Sequence, residues 1–188
     1  DVSYTVTVHN LGNDTVKNVS LKDSLFGKTI KSPASYSMRS APVVSGNGLV
    51  ANSAFDGKTD SRLILPSQSN LPPNTVTSVH FIINVVPGEI TSISNSAYGN
   101  GQIRIGLTTN TVVSDTSNAG NDPDSNDNGV WNEAADNVPT VLLIPNTHTL
   151  FIPEGFSPNG DNINPYFTIQ GLPTDRENSL TIFNRWGN

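Results

Sequence analysis

All-β is the fold class this chain of 188 residues calls for, with antiparallel strands joined by many short turns. Apolar and polar residues alternate with period two in several short segments, the spacing of a strand with one buried face. Breakers are dense: 15 Gly and 13 Pro leave no long window with the 3.6-residue period of a helix. Apolar residues make up 35% of the chain and charged residues 14%, and Ser, Thr and Asn fill the difference.

In "YTVTVH", Tyr4, Val6 and Val8 alternate with Thr5, Thr7 and His9, and "NLGND" supplies the turn that follows. "VKNVSLKD" resumes the alternation with Val19 and Leu21 on one face. From Lys31 to Pro73 the pattern loosens into "LVANSAF", the turn "DGK" and "RLIL", where Asp56-Gly57 between apolar runs signals a hairpin. "VTSVHFIINVV" is the strongest strand, with Val79, Phe81, Ile83 and Val85 facing one way. "IRIGL" places Ile103, Ile105 and Leu107 inward and Arg104 outward. These inward residues predict the core of a sandwich of about seven to nine strands.

The stretch "SDTSNAGNDPDSNDNGVWNEAADN", with almost no apolar content, predicts a long loop, either functional or flexible, and "PTVLLIP" follows it. Composition changes again after Pro145. The expected organisation is a first domain over 1–145, a linker over 146–151 and a second module over 152–188. The chain opens directly inside a strand, with no signal-peptide pattern, and reads as part of something longer.

A net charge of −6, with only 10 scattered basic residues, argues against nucleic acid as a partner. The absence of Cys removes disulfides, thiolate metal sites and cysteine nucleophiles together. No apolar run approaches the roughly 20 residues of a membrane-spanning helix.

Two resemblances organise these pieces. "YTVTVHNLGNDTVKNVSLKDSL", "LPPNTVTSVHFIINVVPG", "ISNSAYGNG" and "SDTSNAGNDPDSNDNG" resemble, in order, the segments of a bacterial cell-surface repeat domain with an immunoglobulin-like sandwich fold. Asn74 stands where that pattern more often has Gly, and residues 31–48 match least well. "IPEGFSPNGDNINPYFTI" and "LTIFNRWGN" resemble the C-terminal sorting domain of gliding motility-associated and other proteins exported by type IX secretion. The residues that carry this second likeness are Ile152, Pro153, Phe156, Ser157, Pro158, Asn159, Gly160, Asp161, Asn184, Arg185, Trp186 and Gly187. Asn162 and Pro165 replace a Gly and an Asp of that pattern, and the sequence stops at Asn188 where the family continues. An immunoglobulin-like antiparallel sandwich followed by the start of a second small β-sandwich is the fold implied.

The acidic loop is the best metal candidate. Asp124, Asn126 and Asn128-Gly129 occupy positions one, three, five and six of a D-x-N-x-N-G calcium loop, where alternating oxygen side chains converge as the chain curls. The twelfth position, which should hold a carboxylate, falls on Ala135, with Glu133 and Asp136 beside it and Asp122 upstream. The alternative is a solvated acidic loop. Asn159, Asp161, Asn162 and Asn164 offer further oxygens, but in "FSPNGDN" such side chains serve the turn itself. His9, His80 and His148 lie far apart and form no triad or G-x-S-x-G elbow, so no enzyme is expected. Trp186 is expected to pack under its own module. Asp14-Thr15-Val16 and Asp23-Ser24-Leu25 match an O-glycosylation acceptor pattern of the secreting bacteria to which the resemblance points.

The resemblance implies a secreted, non-enzymatic cell-surface protein of the adhesin or gliding-motility kind, its stalk or adhesive repeat followed by a signal for export across the outer membrane. Implied partners are the type IX translocon, outer-membrane shuttle or attachment proteins, and a surface polysaccharide or other adhesion target. Accessory modules of a secreted enzyme and a carbohydrate-binding module are the alternatives. With aromatics at 7% and none clustered, the last is disfavoured.

Overall fold

The computed structural model describes all residues except 89, 106–108, 121–123, 125, 145–149, 162, 164, 173–176, 178, 182, 184, 185, 187 and 188, and of Ile105 and Thr109 the backbone alone. Two compact units divide the chain, Asp1–Ile144 and Pro145–Asn188. Among the described residues there is no α-helix, and the strands form several antiparallel sheets, as a β-sandwich requires.

In the first unit the strands are β1 (Val2–Asn10), β2 (Lys17–Lys22), β3 (Ser35–Ser45), β4 (Thr75–Val86), β5 (Ser92–Asn95), β6 (Tyr98–Ile105), β7 (Thr109–Thr116) and β8 (Thr140–Leu143). One sheet has the order β1-β4-β3, a second β2-β6-β7, and β5 pairs with β8. The register of β1 on β4 sets Tyr4 opposite Phe81, Val6 opposite Val79 and Val8 opposite Thr77. Inward residues thus face inward residues, and the alternation read from sequence becomes one buried face.

Val19 and Leu21 of β2 meet Val79, Phe81 and Ile83 of β4 in a single apolar cluster, with Tyr4, Val6, Val8 and Val85 half-buried against it. Phe81 stacks on Tyr4 at 5.2 Å between ring centroids and meets the edge of Phe55 at 5.1 Å. Ile103 is only half-buried, on the strand next to the outermost β7, and Leu107 lies outside the described residues.

The loose stretch after Lys31 departs from its reading in two ways. Residues 35–45 form β3, whose Ser-rich pattern hides the inward side chains Tyr36, Met38, Pro42 and Val44. Register shifts at Met38/Ser40 and Ser40/Val43 accommodate Pro42, which has no N–H for a regular ladder. "LVANSAF" and "RLIL" form no strands; they are tied by the single bridge Ala51↔Ile64. The chain from Ser61 to Leu71 then runs beside β2, with backbone bonds Leu63 N to Leu21 O, Val19 N to Ser69 O and Leu71 N to Val16 O at 2.8–2.9 Å. It delivers Leu63, Ile64 and Leu71 to the core.

Turn chemistry fixes these crossings. Asp56 Oδ1 accepts the backbone N–H groups of Lys58, Thr59 and Asp60 at 2.8–2.9 Å. Gly57 sits at φ 69, and a Cβ there would lie 2.6 Å from Leu25 Cδ1, so only glycine lets the turn close on the core. Asn74 holds φ 53, which explains why the resembled pattern favours Gly at this turn. Asn10 Nδ2 donates to the carbonyls of Asp14, Leu71 and Pro72 at 2.8–3.0 Å, binding "NLGND" to the start of β4.

The second unit has a different character. Its described residues contain one antiparallel bridge, Phe151↔Gln170, with both backbone bonds at 3.0 Å, and no strand. "TLFIP" and "YFTIQGL" meet at that bridge, whereas Leu180, Thr181 and Phe183 show no sheet pairing. The apolar side chains Phe151, Ile152, Phe156, Ile163, Tyr166 and Phe183 are exposed, and Phe167 and Ile169 are only half-buried, so no described apolar side chain is fully buried to direct a sheet.

Asp23, one residue beyond β2, is 1% exposed. Its Oδ2 accepts from Asn95 Nδ2 at 2.7 Å. Burial pushes its carboxyl up to about 6, against the smaller opposing effects of Asn95 and Lys28. Burial, and then the charge of Asp23, pushes Tyr4 up to about 12. Folding therefore favours protonated Asp23, and the associated stability is full below the unfolded carboxyl value and lost as pH rises through about 6. Asp56 works in the opposite sense, but from a carboxyl lowered to about 2, so its effect belongs to more acidic solution. The first unit should accordingly lose about 3 kcal/mol between pH 4 and pH 7. Urea titrations across that range should show this fall in the parent chain and a flattened profile in Asp23→Asn. Equal slopes in both would remove the account of Asp23.

Candidate functional site

The acidic loop after β7 folds around Asp124, which is 7% exposed. Its two carboxylate oxygens accept the backbone N–H groups of Asn128 at 3.0 Å and Gly129 at 2.8 Å. Asp127 at φ 55 and Gly129 at φ 77 supply the left-handed residues that so tight a curl needs. Asn126 Oδ1 accepts from Asn128 N at 3.1 Å, and Asn128 Oδ1 from Val130 N at 2.7 Å. The loop is a run of side chains bonding backbone a few residues ahead.

Glu133 folds back onto it. Its Oε1 accepts from Asn126 Nδ2 at 2.5 Å and from Asn128 Nδ2 at 2.9 Å. The carboxylate that sequence spacing placed off the twelfth position thus reaches positions three and five through space. Asp136 is 2% exposed, and its charge adds to the burial that raises the Asp115 carboxyl. Asp124, Asn126, Asn128 and Glu133 are joined in one hydrogen-bonded loop, Asp136 is buried on the chain beyond it, and Asp122 lies outside the described residues. Among the described residues no three His, Asp or Glu side chains gather into a metal-holding group. Asn126 and Asn128 turn amide nitrogens, which cannot ligate a cation, toward Glu133, while their Oδ1 atoms accept backbone N–H groups.

The stretch 152–169 resolves into turns. Asn159 Oδ1 accepts from Asp161 N at 3.2 Å, and Asp161 Oδ1 accepts from Ile163 N at 2.8 Å. Asn159 Nδ2 donates to Asp161 Oδ2 at 2.8 Å, and Gly160 holds φ 85. The Ile163 N–H, and then Asn159, hold the Asp161 carboxyl below its usual range. Those oxygens serve the local turn. Phe156 meets Phe167 edge to face at 6.0 Å, and the Phe151↔Gln170 bridge closes the whole loop. Ile152, Phe156, Ser157, Pro158, Asn159, Gly160 and Asp161 are exposed and Pro153 is half-buried, so the motif forms an accessible surface. Trp186 is 74% exposed, which corrects the expectation that it packs inward. Asn162, Asn164, Asn184, Arg185 and Gly187 lie outside the described residues.

His9 is exposed on β1, and His80 Nε2 pairs with Ser3 Oγ at 2.8 Å across the outer face of the first sheet. His148 lies outside the described residues. Sequence reasoning missed the group formed by buried Asp23 and Asn95 with half-buried Thr29, in which Thr29 Oγ1 donates to Asn95 Oδ1 at 2.7 Å. One signal was present: Asp23 continues the inward parity of Val19 and Leu21.

No curated protein and no solved structure matches the chain. A family model described as the CHU_C type IX secretion signal domain matches residues 150–188, while the β domain before it is identified by no family. The exposed turn-rich segment is thus a C-terminal type IX secretion signal domain, which implies interaction with the type IX secretion machinery and secretion across the outer membrane to the cell surface.

Proposed function

We propose that the first unit is a non-enzymatic stalk or adhesive repeat, immunoglobulin-like in kind, that residues 150–188 deliver to the cell surface as part of an adhesin or gliding motility-associated protein. The supporting observation is a division of labour. The first unit buries a continuous apolar core, whereas most described apolar side chains of the signal domain, Ile152, Phe156, Ile163, Tyr166 and Phe183 among them, face solvent, where a recognition surface must be. Translocon and outer-membrane shuttle or attachment proteins are the proposed readers of residues 152–161, and a surface polysaccharide the proposed target of the repeat.

Deleting residues 150–188 from the chain in a type IX-secreting host tests the delivery role. The truncated protein should accumulate inside the outer membrane, with the first unit still folded, and surface labelling should fall at least tenfold. Equal surface labelling with and without the segment would refute it.

We propose also that the loop from Asp122 to Asp136 takes calcium weakly. What favours this is the return of Glu133 onto Asn126 and Asn128, which brings a carboxylate to the amide groups at positions three and five of the loop. A cation would have to displace the two amide donors from Glu133, so affinity of about millimolar order is expected, enough to fill at extracellular calcium levels. Calorimetry with calcium should give a millimolar isotherm that Glu133→Gln weakens. No heat in the parent chain would dispose of the site.

A further inference from the structure

We propose that Thr29 and Asn95 condense into an intramolecular ester, releasing ammonia, so that the turn after β2 becomes covalently joined to β5. The reactive groups are already assembled. Thr29 Oγ1 lies 2.7 Å from Asn95 Oδ1, the oxygen carried by the amide carbon that the hydroxyl must attack. A second, longer bond of Thr29 Oγ1 to Ser24 O, at 3.4 Å, helps hold the hydroxyl in place. Asn95 Nδ2, the nitrogen that must leave, touches Asp23 Oδ2 at 2.7 Å. Asp23 Oδ1 is buried with no hydrogen-bond partner, an arrangement that a purely structural clasp leaves unexplained.

The step balances within the protein. Thr29 Oγ attacks Asn95 Cγ, and the new C–O bond gives a tetrahedral centre with its charge on Oδ1. Protonated Asp23 gives its proton to Nδ2, the C–N bond breaks, and ammonia departs. The Thr29 hydroxyl proton restores Asp23, so no outside acid, base or oxidant is consumed. Burial favours the protonated acid that this step needs. The acyl side of the product is shielded, since Asn95 is 6% exposed, while Thr29 is half-buried beside Leu25 and Ile30, both fully buried. In a chain without Cys the ester would serve as the covalent loop closure that a disulfide provides elsewhere. It does not depend on the export reading above.

Intact-mass spectrometry of the purified chain tests the proposal. The chain should be lighter than its sequence mass by one ammonia, and digestion should yield one fragment containing both Thr29 and Asn95, separable by hydroxylamine. Thr29→Ser should keep the loss, whereas Thr29→Val and Asp23→Asn should each show the full sequence mass. Full sequence mass in the folded parent chain overturns the proposal. So does a loss that persists in Thr29→Val, which would instead place a succinimide at Asn95-Ser96.

Discussion

The packing of β4 between β1 and β3 is the interaction on which the first unit depends. Thr77, Val79, Phe81 and Ile83 form an unbroken buried stripe, and each is 0–1% exposed. A slip of one residue in either pairing would turn that stripe to solvent and bring Ser78, His80 and Asn84 inside. Register is therefore enforced by the core itself. The Tyr4–Phe81–Phe55 contacts extend the constraint from a neighbouring strand to a loop that has no strand pairing of its own.

That dependence explains which elements were legible in sequence. β1 and β4 carry alternation strong enough to read alone, because each has one wetter and one drier face, while β2 shows it in sequence although Val19, Ser20 and Leu21 are buried in succession. β3 does not: Ser35, Ser37 and Arg39 on its outer face and Pro42 at its bulges look like loop, and its structure comes from the partner it borrows in β4. The stretch 46–74 was illegible for a related reason. Its order rests on bonds such as Asn10 Nδ2 to Leu71 O, between residues 61 apart, which no local pattern encodes.

The sites follow the same division. The turn role of Asn159 and Asp161 was readable, since both bond groups two residues ahead. The convergence of Glu133 on Asn126 and Asn128 was not, because a fixed twelve-position template excludes a carboxylate that returns by folding. Asp23 shows the limit most clearly. Its charge argues for the surface and its parity for the core, and Asn95, 72 residues away, decides for the core.

The two units thus differ in where they place apolar residues, one gathering a continuous core and the other leaving Ile152, Phe156, Ile163, Tyr166 and Phe183 exposed. Amide hydrogen exchange on the intact chain tests this contrast most directly. The account predicts that Thr77–Ile83 exchange only through global unfolding of the first unit, while Ile152–Gly155 exchange almost as fast as an unfolded peptide. Strong protection of Ile152–Gly155, equal to that of β4, would mean that the signal domain has a core of its own, and would contradict the account.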